Sequence, residues 1–473
     1  MCMRMKTFLP FRTKNKNVEV YFPTLLIVIS LIIIVMIFNS NFEMGLIKSD
    51  ILSGKDKIVI FSSYVVVFTT TGFILLRYSY RLYHKNISIP LGRISFLSII
   101  VVYVILTITL ISTIIQMYFF KTYSNIVFYL ISYISFISSL VYLSLLTFKF
   151  IQWYKRGKNY LILLFGILFT IYCCNIILSL MYLIDGLATH PSSIQLVSPG
   201  QLRTNSFSVN TAFPYEISMI YDALFIISFI LAWILTVLIL KQYSHRLGKI
   251  KFWLLVSLPL LFYLIRSDFF LANFSYSFST IMPNIDKLPT SILDSISKAL
   301  INSTIQIGAI FFGFSFLTII LKIKNYHLQK DMMLIVIGMI IIFGSRDLHS
   351  IFDSTFPPGG IVTISFMSLG SYVLYSGLIL FLKLVSKDQK LYRDLTEKVE
   401  ADTILLRNII LSEKQKELEK KVKPLVDYAI QWQKENQTRE MNIEEAKEIV
   451  NDVVSRIRIN KKLDRKEFDD KIK

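Results

Sequence analysis

Amide, carboxylate, guanidinium and imidazole side chains interrupt the long apolar stretches of this sequence. At about 1.5 Å of rise per helical residue, Asn175, Arg266 and Arg346 each lie about 21 to 23 Å from the basic end of their stretch. The polar residues assigned to this layer are Asn175, Asp222, Arg266, Asp268, Asn302, Gln306, Arg346, Asp347 and His349. Because these groups can pair charges and exchange hydrogen bonds, they predict a ligand-binding layer.

The charged members of this layer need partners. A charge within hydrocarbon costs several kcal/mol unless it is paired or hydrated. We therefore expect Arg266 and Arg346 to be balanced by Asp268 and Asp347, with all four facing other helices instead of lipid. Two interpretations stay open. One is a structural girdle of ion pairs, or charges that reach the outer interface; the other is an open site for a solute or ligand.

Other kinds of chemistry find little support in the residue pattern. His349 and Asp353 are four residues apart and could share a metal, but no second histidine lies at that depth and Arg346 would repel a cation. Cys173 and Cys174 sit within an apolar stretch, where cysteines pack and stay inert. The sequence has no Gly-rich phosphate loop, no nucleophilic Ser elbow and no His–Glu–x–x–His motif. It predicts no enzyme, no metal and no cofactor.

The elements that must position the polar layer are membrane-spanning helices. Of the 473 residues 54% are apolar and only 18% are charged, against about 45–50% and about 25% in soluble domains. A spanning helix needs about 20 apolar residues. The sequence predicts an all-α bundle of ten such helices: Tyr21–Phe38, Ile58–Leu76, Ile94–Phe119, Asn125–Phe148, Tyr160–Ile184, Ile217–Leu240, Phe252–Leu271, Ala299–Leu321, Met332–Phe352 and Gly360–Leu384.

The distribution of Lys and Arg predicts the orientation of these spans. The N-terminal arm carries five, and the loops after the second, fourth, sixth and eighth spans carry four, four, four and three. The loops after the first, third, fifth, seventh and ninth spans carry three, one, one, two and no Lys or Arg residues. Since cytoplasmic loops are enriched in Lys and Arg, a multi-pass protein of the cell membrane with both termini in the cytoplasm is predicted.

The chain is therefore predicted to consist of three regions: a basic arm (1–20), a ten-span domain (21–385) and a charged cytoplasmic tail (386–473). The net charge of +19 would suggest nucleic acid in a soluble protein. Here the positive charge lies in the loops predicted to be cytoplasmic, where it faces anionic lipid headgroups. The predicted partners are therefore the lipid bilayer and those headgroups, and not nucleic acid.

The tail carries 21 basic and 19 acidic residues, a mixture typical of solvated helices. Asn442 can cap a helix in which Glu445 completes the capping box. Ile449, Val453 and Ile457 share its apolar face. Because such a face must be buried, we expect it to pack as a coiled coil within the tail, against a second copy of the chain, or against a cytoplasmic protein.

Small residues are concentrated in the last predicted hairpin. Six of the 17 glycines fall between Gly338 and Gly377, and serines recur in the last span, which predicts close helix packing or a moving element. The Pro357–Gly360 turn, this span and the Lys387–Arg458 segment together resemble a group of uncharacterised archaeal polytopic membrane proteins. The resemblance covers the last third of the chain and implies a prokaryotic cell membrane, but no activity.

Two functions are compatible with these features. The first is a non-enzymatic sensor, receptor-like protein or scaffold that couples the outer polar layer to cytoplasmic partners through the tail. The second is a secondary transporter or channel for a small solute or ion. The spans are bulky and poor in Gly and Pro, whereas interrupted helices are typical of transport sites, so the first function is favoured.

The predicted topology can be tested by labelling single cysteines in a chain that lacks its native cysteines. Ser206→Cys lies in a predicted outer loop and Ser386→Cys at the start of the tail. A membrane-impermeant maleimide should label Ser206→Cys in intact cells, and Ser386→Cys only after the membrane is opened. Labelling of Ser206→Cys from the cytoplasmic side alone would reverse the orientation.

Overall fold

The structure is a computed structural model of the chain. It describes residues 21–37, 54–86, 90–189, 196–197, 215–242, 248, 250, 252–254, 256–258, 310–314, 316–317, 326–345, 358 and 360–387.

Within these residues the chain folds into long helices and one short strand pair. In chain order the elements are α1 (Tyr21–Ile37), α2 (Gly54–Asn86), α3 (Pro90–Phe120), β1 (Tyr123–Ser124), α4 (Asn125–Gly157), α5 (Tyr160–Thr189), β2 (Leu196–Val197), α6 (Tyr215–Gln242), α7 (Tyr326–Gly344) and α8 (Ile361–Lys387).

The predicted helical bundle is confirmed for this part of the chain. Five of its helices, α2, α3, α4, α5 and α8, are long and apolar enough to cross a membrane, and α1, α6 and α7 contain shorter apolar helices. Each of these eight helices overlaps a predicted span. The predicted spans Phe252–Leu271 and Ala299–Leu321 lie mostly outside the described residues, as does nearly all of the tail, so the count of ten stays a prediction.

Several helices extend beyond their apolar stretches. In α4 the predicted apolar stretch ends near Phe148, yet the helix continues to Gly157. Lys158 caps the C-terminus of α4. Its backbone takes the left-handed conformation (φ 45°), and its N–H donates to the Tyr154 carbonyl at 2.7 Å. Asn159 then starts α5 by accepting the Leu161 N–H on its side chain at 2.8 Å, as an N-cap does. This pair of caps makes the α4–α5 turn tight.

Contacts between the helices fix their relative directions. The Tyr103 hydroxyl of α3 donates to the Thr69 carbonyl of α2, as in an antiparallel hairpin. β1 pairs antiparallel with β2, with Tyr123 opposite Val197. The turn between α3 and α4 and the segment after α5 therefore meet at one end of the bundle, which we call the strand end. The predicted topology makes this the outer end.

α8 lies at the centre of the described bundle. Within an 18-residue window of its apolar stretch Ile361–Leu380, 94% of the residues are buried inside the protein, against 17% in the corresponding window of Arg93–Phe120 of α3. Its neighbours are α2, α3, α4 and α7. α3 thus sits at the periphery with most of its surface facing outward, where a bilayer would solvate its exposed isoleucines, leucines and valines.

The close packing of α7 against α8 depends on glycine. A Cβ placed on Gly338 of α7 would lie 2.6 Å from the Leu374 nitrogen and 2.7 Å from its Cα. On α8, Gly370 and Gly377 meet Ile341 and Leu334 of α7 in the same way. Small residues let helix backbones approach this closely. The glycine cluster thus serves tight packing.

Replacing Gly338 tests this crossing. Gly338→Ala forces its new methyl group against the backbone of α8, which cannot rotate away, so we expect the unfolding free energy to fall by about 1–3 kcal/mol. Gly166→Ala is the matched control, because its Cβ would meet Phe150 at an ordinary 3.6 Å. Alanine is also the better helix former by about 1 kcal/mol.

Thermal and denaturant unfolding in mild detergent would compare the two variants. If Gly338→Ala were as stable as Gly166→Ala, the α7–α8 crossing would have room to relax and would not fix the bundle.

Candidate functional site

The structure describes little of the predicted polar layer. The side chain of Asn175 is described, and Asp222 lies in α6 with only its backbone described. The remaining predicted members fall outside the described residues: Arg266, Asp268, Asn302, Gln306, Arg346, Asp347 and His349. The same is true of the tail residues predicted to bind a partner, Ile449, Val453 and Ile457. These assignments stay predictions.

Asn175 stands out among the described polar residues. It lies on α5 and is only 4% exposed. Its backbone carbonyl accepts the Ser179 hydroxyl at 2.7 Å, but neither the nitrogen nor the oxygen of its side chain has a hydrogen-bond partner among the described residues. Leaving such a buried group unpaired costs about 1–3 kcal/mol, so the carboxamide is a candidate for binding something.

A second unpaired polar side chain lies at a similar level on α7. Ser345 is 3% exposed, and its N–H bonds the Ile341 carbonyl at 2.9 Å in the last turn of the helix. Its hydroxyl has no partner within the described part of the chain. Sequence analysis missed this residue, although its position directly after Gly344 and before Arg346 could have drawn attention to it.

A ring contact links α5 and α7, whose backbones pack mainly against other helices. The rings of Tyr172 on α5 and Phe343 on α7 lie 5.0 Å apart, edge to face. Asn175 follows Tyr172 by three residues and Ser345 follows Phe343 by two. Both helices run toward the strand end, so both polar residues lie on the strand-end side of the contact. We call Asn175 and Ser345 the polar pair.

Toward the opposite end, aromatic rings fill the space below the polar pair. Their centroids follow one another at 5.0, 4.5, 5.5, 6.0, 5.6 and 5.2 Å. This aromatic column consists, in order, of Tyr172, Phe343, Phe312, Phe316, Phe165, Phe150 and Trp153. All seven residues are buried. The column reaches the last turns of α4.

The column also shows how residues 310–317 run. Phe312 contacts Phe343 near the polar pair, whereas Phe316 contacts Phe165 nearer the opposite end. This stretch therefore runs away from the strand end, antiparallel to α5 and α7. That direction agrees with the predicted eighth span, and it places two of its rings between α5 and α7.

Three polar side chains of α4 differ from the polar pair because they have hydrogen-bond partners on neighbouring helices. Ser135 donates to the Ile364 carbonyl and Ser139 shares a hydrogen bond with Ser371. The Tyr142 hydroxyl bonds the Ser95 carbonyl at 2.9 Å and the Ser98 hydroxyl at 2.7 Å. These bonds join α3, α4 and α8, and they give this seam a structural role.

Metal and thiol chemistry gains no support from the described residues. No group of three His, Cys, Asp or Glu side chains among them is placed to hold a metal ion. Cys173 is buried with its sulfur 3.6 Å from the Ser144 hydroxyl, while Cys174 points out of the bundle. The two neighbouring thiols therefore occupy different surroundings.

No protein-family model, curated protein or solved structure matches this chain. What the site can do chemically is inferred from the polar pair and the aromatic column.

Replacing Asn175 with leucine tests whether the carboxamide is unpaired. Asn175→Leu keeps a similar volume and removes both unpartnered atoms, so we expect the unfolding free energy to rise by about 1–3 kcal/mol. Thr236→Val is the matched control, because the buried Thr236 hydroxyl already bonds the Ala232 carbonyl at 2.9 Å. Removing a hydrogen bond that is already made should give no such gain.

Both variants would be compared with the unaltered chain by thermal unfolding in detergent. A loss of stability in Asn175→Leu would mean that the carboxamide has hydrogen-bond partners in the folded protein.

Proposed function

We propose that this chain is an integral protein of the cell membrane that acts as a receptor-like sensor or scaffold and not as an enzyme. A ligand binds from outside at the polar layer. A conformational or assembly signal then reaches cytoplasmic partners through the helical tail. In this proposal the strand end faces outward, and both termini lie in the cytoplasm.

One observation carries this proposal: the buried Asn175 carboxamide has no hydrogen-bond partner among the described residues. Buried polar groups are nearly always hydrogen-bonded, so Asn175 is poised to accept a partner. The buried rings of the aromatic column run from its level toward the opposite end of the bundle. Such an arrangement favours binding from one side over passage to the other.

Transmission to the tail is supported by the glycine crossing. Ser345 ends α7, and Gly338 one to two turns before it touches the backbone of α8 at Leu374. Because the two backbones lie in direct contact at this point, a shift of α7 at its proposed ligand-binding end would change its packing on α8. α8 runs to Lys387, where the charged tail has already begun.

The alternative function is a secondary transporter or channel, and one feature favours it. The apolar helix of α7, Met332–Gly344, reaches about 20 Å at about 1.5 Å per residue, short of the about 30 Å hydrocarbon core. Short or interrupted helices are a pointer to transport sites. Transport would require the aromatic column to open toward the cytoplasm.

The proposed coupling is tested at the tail. Val453→Asp places a carboxylate in the predicted apolar face of the second tail helix, which should abolish recovery of a cytoplasmic partner or of a second, differently tagged copy. Ser455→Asp adds the same charge on the opposite face and should leave recovery intact. The measurement is co-purification from mild detergent, with a chain lacking residues 386–473 as the blank.

Equal recovery of partners by the unaltered chain, Val453→Asp and the truncated chain would mean that the tail recruits nothing. The receptor-like proposal would then lose its cytoplasmic output.

A further inference from the structure

Basic side chains gather at the end of the bundle opposite the strand end. The hairpins α2–α3 and α4–α5 both turn there, since β1 joins α3 to α4 at the strand end. All but one of these side chains are exposed, and Arg156 is half-buried. We call them the basic end; its members are Arg77, Arg81, Arg93, Lys155, Arg156 and Lys158.

The helices α2–α5 bring no carboxylate to the basic end. The chain contains no Asp or Glu from Lys57 to Ile184, and Asp56 lies in the first turn of α2, toward the strand end. Positive charges gathered at one surface attract an anionic partner. The negative charge must come from another part of the chain or from outside it.

The C-terminal tail leaves the bundle at this same end. Ser135 of α4 bonds the Ile364 carbonyl of α8. Further along both helices Ser139 bonds Ser371, so α4 and α8 run parallel. Because α4 runs from β1 to the basic end, α8 does so as well, and the chain after Lys387 begins there.

The two helices also end at similar levels. The rings of Tyr142 on α4 and Tyr375 on α8 lie 6.1 Å apart. Beyond this contact a similar length of helix remains in each, to Gly157 in α4 and to Lys387 in α8. The tail therefore starts at the level of the basic residues that α4 supplies.

The tail sequence contains an acidic face of complementary charge. In the predicted second tail helix, Glu444, Glu448 and Asp452 recur every four residues, and residues at this spacing share one side of a helix. Glu445 adds a further carboxylate beside them. These four residues form the acidic face, which lies opposite the predicted apolar face of the same helix.

We propose that the acidic face of the second tail helix docks on the basic end of the same chain. This inference rests on the proposed function, since it concerns how the signalling tail is held. Docking through the acidic face turns the apolar face away from the bundle, where a cytoplasmic partner can bind it. Exposed ion pairs are individually weak and are screened by salt, so the contact is reversible.

Anionic lipid headgroups carry the same sign of charge as the acidic face. The tail is the favoured occupant because it begins at the basic end and stays attached to it. A tethered segment binds as an intramolecular partner, at an effective concentration set by its linker. Lipid must instead compete for the same side chains from the surrounding bilayer.

Crosslinking of cysteine pairs in the full-length chain without native cysteines tests this docking. Tyr160→Cys lies at the α4–α5 turn, where Tyr160 is 77% exposed. Ser455→Cys lies three residues after Asp452, on the acidic face. A short bis-maleimide should join this pair within one chain. Ala446→Cys, on the apolar face, is the matched control and should crosslink to Tyr160→Cys several-fold less.

Charge reversal separates a specific contact from chance encounters of the tail. Lys155→Glu with Lys158→Glu should lower the crosslinking yield by about three- to tenfold, because attraction becomes repulsion. Glu444→Lys with Glu448→Lys should lower it to the same extent. Combining all four substitutions should restore the yield, since the opposite charges then face each other again.

The yields are measured in phosphatidylcholine vesicles, with and without phosphatidylserine, and the crosslink should form in both. Its loss when phosphatidylserine is present would overturn docking and assign the basic end to lipid headgroups. Equal yields for Ser455→Cys and Ala446→Cys, or no restoration by the combined reversal, would overturn it as well. A chain that fails this test can still recover partners, because co-purification with Val453→Asp measures the apolar face separately.

Discussion

The contact of Gly338 with the backbone of Leu374 is the constraint on which the rest of the described bundle depends. It lets α7 lie directly on α8, and the serine and tyrosine bonds on another side hold α4 against α8. Because helices in a membrane gain no hydrophobic energy from one another, close packing and interhelical hydrogen bonds must supply their association. α8 thereby becomes the buried axis around which α2, α3, α4 and α7 are arranged.

Hydrogen bonding separates structural polar residues from functional candidates in this bundle. Ser139 and Tyr142 reach partners on neighbouring helices, and Thr236 bonds its own helix at the Ala232 carbonyl. Asn175 differs because a carboxamide cannot satisfy both of its polar atoms on its own helix. Its burial without partners, at the level where Ser345 ends α7, costs stability.

The aromatic column gives the site its direction. Rings in edge-to-face and offset contact gain about 0.5–1.5 kcal/mol beyond their burial, so the contacts among Tyr172, Phe343 and Phe312 stabilise a closed interior below the polar pair. In the proposed function, a ligand entering from the strand end would meet hydrogen-bonding groups first and hydrocarbon next. The contact of α7 with α8 would then pass the signal on without an open path through the protein.

The sequence by itself determined the class of the molecule and where its helices lie along the chain. A run of about 20 apolar residues can satisfy its backbone in a bilayer only as a helix, and the glycine cluster predicted either close packing or a moving element in the last hairpin. The depth of a residue along its own helix could also be predicted from the sequence, which is why Asn175 was assigned to the polar layer. Only the tertiary structure decided that α8 is central, that Asn175 is buried without a partner among the described residues, and that phenylalanines from four segments stack on one another. Helical rise places a residue along its own axis, whereas its neighbours depend on how distant segments rotate and pack against one another.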